Sequence, residues 1–425
     1  MTEDRASTGI DGFDVLIGGG FPRGSLVLMA GEAGSGKTIL SAQYLYHGAS
    51  KLGEPGTYVS FAENRETFLE NMKKLDMDFE RLEQEGKFKF LDYATITEKA
   101  VTETLTNVLS EIDRLKARRL VIDSFSALAQ AFREPINARV ALHTILGKMV
   151  RQTGCTTLLI TEKANGAKQI GLGVEEFVAD GVVLLTLSSE RGYLERRLQI
   201  IKMRGTKAWK GGVRYDINER GITLYQLPEV KPVKKVYREK LSTGIKGLDE
   251  MLGGGLPRAT ATMVAGASGT GKTTIALHFI AEGASRNEKG LFISFEEPEA
   301  KLIHQGEGFG WDMRGFLDKG LVRIEYLALE PYNVDEQLLQ AKNLLREHQP
   351  ARFVIDCVTP IEKAMVEDEF AEHMKRWSSS LAADGVTTLF TATSEMTTPV
   401  TATRISTLFD NVISLRDVEL ESALK

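Results

Sequence analysis

The chain has 425 residues, 42% of them apolar and 26% charged, with a formal net charge of −5. That length is enough for two substantial cores, the composition excludes disordered and fibrous classes, and the acidic sum gives no global pull toward nucleic acid. No run approaches the ~18 consecutive apolar residues of a membrane span, and the polar start MTEDRASTG is unlike a secretory leader, so a cytoplasmic protein without membrane contact is expected. Cys155 and Cys357 fall singly in apolar strand-like contexts, which predicts buried free thiols rather than a disulfide or a metal site.

In chain order, the first strong element is the strand SLVLMA, which runs into GEAGSGKT (Gly31 to Thr38) and then the helical pattern ILSAQYLYHGA. Further strands, TYVSF, FKFLD, RLVID, TTLLIT and GVVLLTL, alternate with helical stretches. This alternation predicts an α/β fold with a mainly parallel sheet flanked by helices. The GxxxxGK[ST] spacing has a physical reason. Gly31, Gly34 and Gly36, with Ser35 between, let successive backbone N–H groups turn toward phosphate oxygens at a helix N-terminus. Lys37 then reaches the β/γ-phosphates, and the Thr38 hydroxyl ligates Mg2+.

After GVVLLTL the segment LPEVKPVKKVYREK, with two prolines and five basic residues (Lys231, Lys234, Lys235, Arg238, Lys240), reads as a solvated linker. It divides the chain into residues 1–227, a linker 228–240, and residues 241–425. The second part repeats the first. TGIDGFDVLIGGGFPRG (Thr8 to Gly24) matches TGIKGLDEMLGGGLPRA (Thr243 to Ala259) at the offset that also separates Gly31 from Gly266. The second glycine loop, GASGTGKT, supplies Gly266, Gly269, Thr270, Gly271, Lys272 and Thr273 in the same order, again between a strand and a helical pattern. A repeat this long is a duplicated domain and not a solenoid. One chain is therefore expected to bind two nucleoside triphosphates with Mg2+.

Asp123 ends RLVID and Asp356 ends FVID, each downstream of its glycine loop, where a carboxylate holds Mg2+ or its water. Directly after the strand LFISF stand Glu296 and Glu297; Glu296 is also a candidate metal contact, and a carboxylate there can take a proton from an attacking hydroxyl or orient a water. The matching positions of the first half are Ala62 and Glu63, so one carboxylate is missing there, although Glu162 stands at the same sheet edge.

The double glycine loop, the STGIxGLD-type opening of both halves and the position of the acidic pair, together with KMRG (Lys202 to Gly205), GVEEFVADGVV and TRISTLFDNVI, resemble the KaiC family, tandem RecA-like ATPases of bacterial clock systems. The resemblance covers essentially the whole chain. It implies ATP as the nucleotide, two RecA-like domains, and a homo-hexameric double ring with ATP at the subunit interfaces. It also implies Lys202 and Arg204 as cations reaching the neighbour's γ-phosphate, where read alone they fit a solvated strand edge equally well. By the same resemblance Ser406 and Thr407 are phosphoacceptors, Thr401 matches a further threonine, Glu296 is the general base and Glu297 its support. Small adaptors of the KaiA and KaiB type are implied as partners. Asp180 corresponds to Asp410, and a second KMRG at that spacing would fall beyond Lys425. The leading expectation is an ATPase and Ser/Thr autokinase that signals through its phosphorylation state. The alternative is a nucleotide-gated scaffold with little catalysis. A DNA-dependent motor fits less well, because the chain shows no obvious basic, aromatic or glycine-rich loop for single strands.

Overall fold

A computed structural model describes residues 4–93, 100–132, 150, 152–164, 169–171, 175–190, 193–207, 211–225, 237–330, 334–393 and 408–417, with 140, 166, 173, 209, 419–420 and 423–424. Contacts divide the chain into two compact units, Met1–Gln226 and Leu227–Lys425. In the first, the strands of the main sheet are β1 (Leu26–Gly31), β2 (Gly56–Ser60), β3 (Phe88–Asp92), β4 (Arg119–Asp123), β5 (Thr156–Glu162), β6 (Gly181–Glu190), β7 (Tyr193–Met203), β8 (Gly212–Asn218) and β9 (Gly221–Leu224). They form one sheet in the order β9-β8-β7-β6-β1-β5-β4-β2-β3. Strands β1 to β6 pair in parallel, and β7, β8 and β9 extend the sheet by antiparallel pairing.

Every residue of β1 is buried, and successive side chains enter opposite cores, so the sheet is covered on both faces. Val27 and Met29 join one core with Tyr44 and Leu45 of the helix α1 (Lys37–Lys51) and with Phe68 of α2 (Arg65–Lys73). Leu26, Leu28 and Ala30 join the other, with Leu105, Val108 and Ile112 of α3 (Val101–Leu115), whose apolar residues recur at helical spacing. A sheet buried on both faces needs near-continuous apolar strands, which is how LVLMA and LVID read.

The second unit repeats this plan with β10 (Ala261–Gly266), β11 (Gly290–Ser294), β12 (Val322–Tyr326), β13 (Arg352–Asp356), β14 (Thr387–Thr393) and β15 (Asn411–Leu415), in the order β12-β11-β13-β14-β10-β15. All five pairings are parallel. Its helices include α5 (Lys272–Ser285), α6 (Glu299–Gly308), α7 (Val334–His348) and α8 (Glu367–Ala383), numbered after α4 (Glu175–Val178) of the first unit. Cys155 and Cys357 are both free and buried. No helix among the described residues is long and apolar enough to cross a membrane.

The STGI-GLD opening has a structural cause. Asp14 accepts from Ser7 Oγ at 2.6 Å and from the Thr8 amide at 2.8 Å; Asp249 accepts from Ser242 Oγ at 2.7 Å and from the Thr243 amide at 2.8 Å. Beneath this turn sits a buried arginine in each unit. Arg119 donates Nε to Glu54 at 2.7 Å and Nη1 to the Ser7 and Tyr44 carbonyls; Arg352 donates Nε to Glu288 at 2.6 Å and Nη1 to the Ser242 and Phe279 carbonyls. Both side chains are fully buried, and each lies over an aromatic ring of the helix that follows the glycine loop. The arginine thus joins the amino-terminal turn, the sheet and that helix. Lys240, expected as a linker cation, instead begins the two-residue strand Lys240–Leu241 and donates Nζ to the Leu252 and Gly253 carbonyls.

Candidate functional site

In each unit the parallel strands present their carboxyl ends along one edge of the sheet, and the unit's glycine loop falls there, following β1 in the first and β10 in the second. Gly34 and Gly36 take φ of 79° and 84°, Gly269 and Gly271 of 86° and 92°, a backbone curl that residues with a Cβ rarely adopt. Lys37 is nearly buried, and its Nζ donates to the Gly31 carbonyl at 2.9 Å and to that of Glu32 at 2.8 Å. Burial lowers its pKa, opposed by Glu162, Asp123 and Glu32. Lys272 is buried to the same degree and donates to the Ala267 carbonyl at 2.8 Å. Each unit therefore carries a desolvated ammonium held at the rim of a curled loop, the arrangement that suits an anionic phosphate.

Thr38 Oγ1 donates to Asp123 Oδ2 at 2.8 Å, and Thr273 Oγ1 donates to Asp356 Oδ2 at the same distance. A hydroxyl and a carboxylate brought together beside a phosphate loop are hard oxygen donors that fit Mg2+. The sequence-expected groups of the loop and strand end thus meet in both units. Burial raises the Asp356 carboxyl above its ordinary pKa; hydrogen bonds from Thr391 and Thr273 oppose that, and the Glu296 and Glu297 charges add to it.

The acidic positions differ between the units. Ser294 Oγ accepts from the Glu297 amide at 2.9 Å and the Glu296 amide at 3.3 Å, which turns the chain so that both carboxylates leave the end of β11. Glu297 pairs with Lys301 at 2.7 Å, while Glu296 is exposed and, among the described residues, receives only the Cys357 thiol, at 3.7 Å. In the first unit Ser60 makes the same turn beneath Ala62 and Glu63. Glu63 accepts from Asn71 Nδ2 at 3.0 Å; its pKa is raised by burial and the Asp123 charge against that hydrogen bond. Glu162 ends β5 at the same edge, and the position that matches it at the end of β14 is Thr393.

Lys202 and Arg204 lie at the other edge. Strand β7 runs antiparallel to β6, so Lys202 pairs with Val182, which is level with Leu28 of β1. That is about 10 Å of strand short of the end of β1, with the glycine loop beyond it. Lys202 Nζ donates to the Glu176 and Ala179 carbonyls at 2.9 and 2.7 Å, and Arg204 pairs with Asp180 at 3.2 Å. Burial, and then Arg204, lower the Lys202 pKa. Neither cation reaches the loop of its own unit. Nor is β7 a solvated edge, since it sits between β6 and β8. Ser406, Thr407 and Thr401 lie outside the described residues.

Sequence reasoning missed four groups around these sites. Tyr58 OH donates to Asp123 Oδ2 at 2.6 Å, Thr391 Oγ1 donates to Asp356 Oδ1, and Tyr215 of β8 donates its hydroxyl to the Ser35 carbonyl of the first glycine loop. The fourth is the Arg119/Arg352 pair, for which the repeat held a signal: RRLVID and ARFVID retain an arginine at the same place in an otherwise apolar strand.

Two parallel sheets, each with a phosphate loop, a loop lysine and a strand-ending aspartate joined to the loop threonine, define a tandem P-loop ATPase. The family model for KaiC, an ATPase, matches residues 6–229 and 241–425, and the chain belongs to that family. It is 29% identical over 431 residues to the circadian clock oscillator protein KaiC of Synechococcus elongatus, covering 99% of this chain and 83% of that one. To the circadian clock protein KaiC3 of a Synechocystis species it is 30% identical over 437 residues, covering 99% and 86%.

Proposed function

We propose that the protein is an ATP-driven autokinase with unequal lobes, assembled as a homo-hexameric double ring and signalling through its phosphorylation state in a clock-type system. The observation that carries the kinase reading is the pairing of exposed Glu296 with the Asp356 site in the second unit, where the first unit has Ala62. Lys272 and the second glycine loop hold the triphosphate, and Thr273 with Asp356 provides the oxygen ligands for Mg2+, which neutralises phosphate charge when bound. Glu296 accepts the proton of a Ser406 or Thr407 hydroxyl as that oxygen bonds the γ-phosphorus, and ADP leaves with the bridging oxygen. Glu297, held by Lys301, fixes the turn that aims Glu296.

The opposite-edge placement of Lys202 and Arg204 supports a nucleotide completed by a neighbouring subunit, since these cations lie far from their own loop. Exposed Phe177 and Ile201 beside them supply apolar surface for that contact. Small adaptors of the KaiA and KaiB type are proposed as readers of the phosphorylated state. Incubation with γ-labelled ATP should place label on Ser406 or Thr407 and lose it in Glu296→Gln; label absent from both residues would sink the kinase reading.

The first unit favours a second role. With Ala62 in place of a carboxylate and Glu63 bound to Asn71, its ATP serves assembly more than turnover. Sizing with ATP, ADP and no nucleotide checks this: the hexamer should need ATP in the first unit, and Lys37→Ala should dissociate it.

A further inference from the structure

The two aspartates that meet the glycine-loop threonines are held by different third partners, and the difference is reciprocal. In the first unit Tyr58 OH donates to Asp123 Oδ2, the oxygen that Thr38 already uses. No hydrogen bond among the described residues reaches Oδ1. In the second unit Thr391 Oγ1 donates to Asp356 Oδ1 while Thr273 takes Oδ2, so both oxygens are engaged. The position matching Tyr58 is Phe292, and the position matching Thr391 is Ile160, both apolar and buried. Each unit thus has one donor, supplied from opposite sides of the aspartate: Tyr58 from β2 beside β4, Thr391 from β14 beside β13.

We propose that Tyr58 and Thr391 are positioning residues that set the two divalent-cation sites apart, leaving Asp123 Oδ1 open to the ion or its water and keeping Asp356 Oδ1 occupied. This rests on the Mg2+–ATP reading of both loops. A carboxylate has about four acceptor positions, so the second site can still bind, but there a metal-bound water shares its oxygen with Thr391. Accessibility points the same way: Asp356 is only 2% exposed, whereas Asp123 is half-buried. The Tyr58 ring stacks on Phe90 at 5.4 Å and contacts Phe68 at 4.6 Å, which fixes where its hydroxyl points. Among the described residues each aspartate carboxylate accepts two hydrogen bonds, but only Asp356 carries one on Oδ1, so the first unit should hold the cation more tightly, by roughly tenfold if that bond competes with the ion.

The test uses Mn2+ as the probe ion, read by electron paramagnetic resonance in the full chain with a non-hydrolysable ATP analogue. Lys272→Ala isolates the first site, and the second is read as the Mn2+ class that Lys272→Ala removes from the unsubstituted chain, so that the first unit keeps its nucleotide in every sample. Tighter Mn2+ binding is expected at the first. Thr391→Val should tighten the second site several-fold and Tyr58→Phe should loosen the first, both changes being nearly isosteric and checked for folding by metal-free thermal unfolding. The exchanged pairs, Tyr58→Phe with Ile160→Thr and Phe292→Tyr with Thr391→Ile, should reverse the order. A merely structural role would move the unfolding temperature and leave the Mn2+ affinities alone. Equal affinities at the two sites, or an order that survives the single and exchanged variants, overturn the inference while the nucleotide reading stands. Failure of the analogue to bind either site with Mg2+ present overturns the nucleotide reading and this inference with it.

Discussion

Replacing Glu288 by alanine strands the guanidinium of Arg352. That side chain is fully buried, with Nε 2.6 Å from Glu288 and Nη1 on the Ser242 and Phe279 carbonyls, so among the described residues its charge has one acidic partner in direct contact. Removing one member of a buried ion pair costs about 3–5 kcal/mol, because the survivor keeps its desolvation penalty. The Glu288 side chain is 30% exposed, so water takes up part of the loss and about 2–3 kcal/mol is the expected cost. A unit of about 200 residues unfolds with an entropy near 0.4 kcal/mol/K, which converts that cost to a fall of about 5–7 °C. Calorimetry of the full chain without nucleotide should show this fall in the transition of the second unit alone. Glu54→Ala should lower the first unit's transition by more, since Glu54 is 13% exposed and also binds Arg23. A fall of less than about 1 °C, or an equal fall in both transitions, would refute the claim that each arginine is neutralised inside its own unit.

Gly283→Ala places a Cβ 2.5 Å from Arg352 Cδ and Nε and should destabilise the second unit by about 1–3 kcal/mol, measurable as a lower denaturant midpoint. At Asp249, burial pushes the carboxyl up, but hydrogen bonds from Ser242 and Thr243 outweigh it and hold the pKa below its ordinary value. Its stabilisation is therefore complete above the unfolded aspartate pKa of about 4 and disappears as pH falls through the folded one. The melting-temperature gap between the protein and Asp249→Asn should stay constant near neutrality and close in acid; a gap that widens in acid would reverse the sign. Glu296→Gln should cut label transfer by about 10²–10⁴, the range for a lost general base, while single-turnover binding of ATP is retained.

The glycine loops, their lysines and threonines, and the aspartates at the ends of β4 and β13 were legible because each depends on spacing within one short segment. The strands β1, β2, β4 and β5 were legible for a related reason: burial on both faces makes each a compact, mostly apolar run, whereas the edge strand β3 shows as alternating buried and half-buried residues. Strands β8 and β9 were not, because GVRYDIN mixes exposed, half-buried and buried residues, GITL is only four residues long, and their role depends on β7 folding back along β6. Tyr58 and Thr391 escaped notice for the same non-local reason. Each looks like an ordinary strand residue until a neighbouring strand brings an aspartate to its hydroxyl. The cations of KMRG were legible as a motif, but their place opposite the loop required the antiparallel register.

The reciprocal exchange around the two aspartates also bears on how a duplicated domain diverges. Strand β4 lies between β5 and β2, and β13 between β14 and β11, so a donor to the aspartate can come from either flank. Tyrosine and phenylalanine codons differ by a single base, as do those of threonine and isoleucine. Two point changes in one copy therefore suffice to move the donor across the aspartate, through an intermediate with both hydroxyls or with neither. Because the loop, its lysine and the buried arginine brace are untouched by such a move, one copy can wander in its chemistry while its twin preserves the ancestral site.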